Sequence, residues 1–143
     1  MTRNETRREM EEAVKAGRQA LSSLECASEK LDKAKNWGLF DMLGGGLVAD
    51  WMKHSRMSEA TGYMEEAKSR LRIFQRELQD VHVPLDLRMD VSSFLTFADF
   101  FFDGIVADYM VQSKINDARE QVNDAIMRVR ALLGELEGLL DGE

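Results

Sequence analysis

The chain has 143 residues, enough for one domain with a sizeable core, and its 44% apolar and 31% charged content excludes a disordered polypeptide. Ten glycines and a single proline are few breakers for this length, so long helices are expected rather than strands and turns. The net charge of −7 is distributed as +1 over residues 1–36, −2 over 37–90 and −6 over 91–143, which argues against nucleic acid as a partner and against electrostatic docking on anionic lipid, because both need a concentrated basic face.

The first element is a long amphipathic helix. Met10, Ala13, Gly17, Ala20, Leu24, Ala27, Leu31 and Ala34 form a heptad seam, and Thr2-x-x-Glu5 fits a capping box at its start. The polar stretch before the seam has no apolar run behind it, so it does not read as a secretory signal. Cys26, the only cysteine, lies on this helix beside the seam; a cysteine without a possible intrachain partner fits a reducing compartment, and a cytoplasmic location is expected.

A short apolar helix is expected over about 39–54. It carries Gly44-Gly45-Gly46, but no strand precedes these glycines and no Gly-Lys-Ser/Thr follows them, so a phosphate-cradling loop is not indicated. A second long helix follows, with the seam Met57, Ala60, Met64, Ala67, Leu71, Phe74, Leu78 and Val81. From Val81 to Val91 the apolar residues alternate strictly, and the only proline, Pro84, falls inside the run. Alternation of that kind predicts an extended linker buried on one face over 81–91. Ser92 is a suitable cap for a second short helix over about 93–112. The third long helix has the seam Ile115, Ala118, Val122, Ala125, Val129, Leu132, Leu136 and Leu139.

Residues 41–78 align without a gap on residues 99–136, and 13 of the 38 pairs are identical. Shared heptads explain the paired alanines and leucines. They do not explain Asp41/Asp99, Gly46/Gly104, Asp50/Asp108, Ser55/Ser113, Arg70/Arg128 or Glu77/Glu135, so a tandem duplication is expected. The expected fold is therefore all-α and a single domain over 1–143. Three long helices form a coiled-coil-like bundle, with the two repeat helices parallel to each other and antiparallel to the first, and two short head helices sit at one end.

The repeated positions nominate the candidate site. Gly46 with Ala49, and Gly104 with Ala107, supply small faces where the head helices can cross closely. Asp50 and His54 are four apart and able to pair or to share a metal, but Asp108 has Gln112 in the matching place and no further ligand lies nearby, so no metal and no cofactor are expected. Asp50, Trp51, His54, Asp108 and Tyr109, with Phe100, Phe101 and Phe102, concentrate charge and aromatic surface in the head. No Ser-His-Asp or Cys-His arrangement is visible, so no enzymatic activity is expected. The sequence points to a non-catalytic interaction or scaffold protein that docks a partner helix or a second copy of itself. Val14, Leu21, Ile126 and Leu133 widen the apolar stripes and leave room for a homodimer. Two other readings are a peripheral membrane protein inserting the Phe-rich segment 94–102, and a small ligand or metal binder between the repeat head helices.

Overall fold

The computed structural model describes the backbone of residues 3–42, 47–104 and 112–141, and side chains chiefly within 4–33, 62–84, 87–99 and 118–141. Among the described residues every regular element is a helix. They are α1 (Arg3–Met42), α2 (Leu47–Asp80), α3 (Leu85–Gly104) and α4 (Gln112–Asp141). None is long and apolar enough to cross a membrane.

α1 is the spine. Its inward face is built from small residues, with Ala13, Ala16, Ala20 and Ala27 buried alongside Gly17. Small side chains at a helix contact let the axes approach closely, and both α2 and α4 pack tightly along α1. Ion pairs across these contacts show the direction of each helix. Lys30 meets Glu59 at 2.7 Å and His82 faces Glu9 at 3.4 Å, so α2 is antiparallel to α1. Arg18–Glu137 at 2.9 Å, Arg130–Glu25 at 2.8 Å and Arg119–Asp32 do the same for α4. α2 and α4 therefore run in one direction on either side of α1. Most of these pairs are exposed and each contributes at most about 1 kcal/mol; the apolar interior supplies the bulk of the stability.

That interior follows the seams. Met10, Ala13, Ala20, Leu24, Ala27 and Leu31 of α1, Met64, Ala67, Leu71, Phe74 and Leu78 of α2, and Ala118, Val122, Ala125, Val129, Leu132 and Leu136 of α4 are all buried. Burying one such large side chain contributes about 1.5–3 kcal/mol. Val14, Ile126 and Leu133 are 4%, 8% and 5% exposed within the single chain. They belong to its own core, and Leu21 is half-buried against it.

The segment after α2 departs from the sequence expectation. Only 81–84 is irregular, and the chain is helical from Leu85 onward. The linker expected over 81–91 is therefore mostly α3. Val83, Leu87, Val91, Phe94 and Ala98 are buried, at helical spacing, while Met89 is 69% exposed. Pro84 stands at the helix start, where its carbonyl accepts the first intrahelical bond from the Arg88 amide at 2.9 Å. A proline costs nothing there, because the first amides of a helix have no partner in any case.

The head helices are corrected with it. Ser92 is not a cap: it lies inside α3, and its carbonyl accepts a hydrogen bond from the Thr96 hydroxyl at 3.2 Å. The described part of the 39–54 segment belongs to two helices, α1 up to Met42 and α2 from Leu47, with residues 43–46 outside the described residues; α2 runs on through Ser55, so its start is continuous with the long helix. The described part of the 93–112 segment likewise belongs to α3 up to Gly104 and to α4 from Gln112, with residues 105–111 outside the described residues. Among the described residues there are thus four helices where three long and two short ones are expected.

α3 packs against α2 and α4 with far fewer close approaches than α1 makes. It is anchored by the Phe94 ring against Phe74, 5.4 Å between centroids, and by a hydrogen bond from Gln75 to Asp99 at 2.9 Å.

Gly62 and Gly134 sit in helices where an added Cβ would meet nothing within 4 Å. Glycine in an open helical position costs about 0.5–1 kcal/mol relative to alanine. Gly62→Ala and Gly134→Ala should each raise folding stability by about that amount, read as a higher denaturation midpoint with an unchanged slope.

Candidate interaction site

Most of the sequence-nominated site falls outside the described residues. Gly46, Ala107, Asp108 and Tyr109 are not described at all. Ala49, Asp50, Trp51 and His54 lie in the first turns of α2, and Phe100, Phe101, Phe102 and Gly104 in the last turns of α3, with only their helical backbone described. Among the described residues no group of three His, Cys, Asp or Glu side chains converges as metal ligands would. Two phenylalanines of the Phe-rich segment turn inward: Phe94 is 4% exposed, and Phe97 is half-buried beneath the Arg128 guanidinium, 4.5 Å from its ring centre.

The described surface does contain a groove, between α3 and α4. One compartment, about 360 Å³, is lined by Pro84, Leu87, Asp90, Glu135, Gly138 and Leu139. The next, about 190 Å³, adds Ser93, Phe94, Arg128, Ala131 and Leu132. Asp90 and Glu135 line both, so the two compartments meet at this pair of acids. The helical rise places Pro84 and Phe94 about 15 Å apart along α3, the length of nearly three helical turns.

The acid pair dominates the electrostatics. Partial removal from water raises the Glu135 carboxyl above the ordinary glutamate range, and the hydrogen bond and the charge of Asp90 push the same way. Arg128 lines the same groove, but it is engaged with Asp124 at 3.3 Å and with the Phe97 ring. Among the described residues neither acid of the pair has an ion-pair partner.

A raised folded-state pKa means that the stability contributed by protonated Glu135 is fully present below the ordinary glutamate value and is lost as pH rises through the raised one. Glu135→Gln should therefore be slightly more stable than the parent at pH 7, by roughly 0.2–0.5 kcal/mol, the scale of a like-charge pair on an exposed helix surface. The gain should shrink towards zero as pH is lowered to 4, which paired thermal melts at the two pH values would reveal.

A second, more polar depression of about 320 Å³ lies between α1 and α2, where half-buried Cys26 sits with Ser23, Tyr63 and Arg70. The Lys30 ammonium lies over the Tyr63 ring, 5.3 Å from its centroid, and its hydrogen bond to Glu59 holds it above the ordinary lysine range.

Sequence reasoning missed the α3–α4 groove because it treated residues 81–91 as extended. A usable signal was present in Pro84 followed by Leu87, Val91, Phe94 and Ala98, a helix start with a helical stripe. Comparison with protein-family models, with curated proteins and with solved structures finds no match.

Proposed function

We propose that this chain is a non-catalytic interaction protein of a reducing, cytoplasmic compartment, descended from a tandem duplication, whose partner-binding surface is the groove between α3 and α4. The observation that carries the reading is the groove itself: an elongated slot between α3 and α4 with an apolar floor and an unneutralised acid pair at its centre. Helix-in-groove docking uses such slots.

The duplication is supported by matched surroundings at matched positions. Met64/Val122, Ala67/Ala125, Leu71/Val129, Phe74/Leu132 and Leu78/Leu136 are buried in both copies. Arg70 and Arg128 each pair at 3.3 Å with an acid four residues earlier, Glu66 and Asp124. A duplicated unit whose long helices flank α1 in the same direction relates the copies by a pseudo-two-fold axis along the bundle. The membrane-insertion reading is weakened by the inward turn of Phe94 and Phe97.

A photo-cross-linking side chain tests the proposal. Placed at exposed Ser93 in the groove, it should capture a discrete protein adduct in the native cell; placed at exposed Glu12 on α1, it should not. Absence of adducts from both positions, or equal labelling from both, would reject the groove as the working surface.

A further inference from the structure

We propose that the occupant of the α3–α4 groove is a basic amphipathic helical segment of another protein, with a Lys or Arg side chain seated between Asp90 and Glu135 and apolar side chains resting on Leu87, Phe94 and Leu139. The inference rests on the interaction reading above and names the chemistry of the partner.

Three observations converge on it. First, the two acids sit where the compartments join, and among the described residues neither has a cation of its own; the one arginine in the groove is committed to Asp124 and Phe97. Bringing a cation there offsets the repulsion between the two acids with charge-assisted hydrogen bonds. Second, the α4 wall is low. Ala131 and Gly138 line it, and a Cβ added at Gly138 would meet nothing within 4 Å, so a backbone can approach closely. The space accommodates a helix better than a lone ion, which would leave the apolar floor unused. Third, the chain carries a net charge of −7, which favours encounter with a basic segment.

A fluorescent 14-residue peptide of leucine and lysine at helical spacing, titrated against the full chain, tests the idea. The parent should bind it, and Asp90→Asn/Glu135→Gln should bind at least tenfold more weakly. Glu12→Gln/Glu65→Gln, which removes the same charge from exposed positions elsewhere, should change affinity less than twofold. Asp90→Lys, which supplies the cation from within, should fold and should also lose the peptide. Equal losses in the two neutralised pairs would reduce the effect to bulk charge and overturn the proposal, as would absence of binding to the parent. Spermine or calcium binding with the same dependence on Asp90 and Glu135, and equal in strength to the peptide, would overturn it in favour of a simple cation site. A protein adduct from Ser93 combined with unchanged peptide binding by Asp90→Asn/Glu135→Gln would leave the interaction reading standing and remove only this inference.

Discussion

Phe74→Ala should lower folding stability by about 3–5 kcal/mol, the range for deleting a fully buried aromatic side chain. Phe74 is wholly buried at the point where three helices meet. Its ring lies over Gly17 of α1 and against Phe94 of α3. Alanine would leave a cavity that the flanking alanines of α1 are too small to fill. Since a domain of this kind has about 5–15 kcal/mol in all, the loss should be visible as a large drop in denaturation midpoint. The damage should also be unevenly spread. α3 has few other anchors, so its amides should lose hydrogen-exchange protection before those of α1, α2 and α4. A double-mutant cycle with Phe94→Ala should return a coupling of about 0.5–1.5 kcal/mol for the ring pair. Additive losses would show that the contact between the rings is not what holds α3.

Gly17→Ala carries the second large effect, and its sign is informative. Helix propensity alone favours alanine by up to about 1 kcal/mol. In this fold the new methyl would stand 2.7 Å from a Leu133 methyl and 2.9 Å from the edge of the Phe74 ring. Leu133 can give a little; the Phe74 ring, closed in on all sides, cannot swing away. Overpacking a filled core costs about 1–3 kcal/mol, so the net result should be a loss of about 1–2 kcal/mol, with Gly17→Leu worse. The contrast with Gly62→Ala and Gly134→Ala, both expected to stabilise, separates packing from propensity within one protein. A stabilising Gly17→Ala would mean that α2 and α4 do not close over α1 at this level.

The sequence made three helices legible because their apolar residues recur at heptad spacing over 25 residues each, and no other regular structure buries such a stripe. Leu24, Leu71 and Val129 are buried as the seams required. The fourth helix was hidden by an arithmetic coincidence. Val83, Leu87 and Val91 are four apart, a spacing shared by the two-residue period of a strand and by the i, i+4 face of a helix. Met89 completes the apparent alternation yet lies on the solvent side of the helix. Misreading that segment also concealed the groove. The repeat marks Glu135 as the counterpart of Glu77, but an extended linker gives Asp90, its neighbour in the groove, no reason to face α4. Val14, Ile126 and Leu133 lie beside the seams and are buried as well, because a helix in a globular bundle buries a wider face than a heptad seam.

The account depends on α3 lying as a helix along α4 with Asp90 level with Glu135. A nitroxide attached at exposed Met89, as Met89→Cys in a Cys26→Ser background, tests that placement by paramagnetic broadening of assigned amide resonances. Strong broadening of residues 131–139 of α4, with the 118–125 end of the same helix unaffected, is the expected result. Sharp resonances throughout 131–139 would contradict it and would take the groove, and the function proposed for it, away.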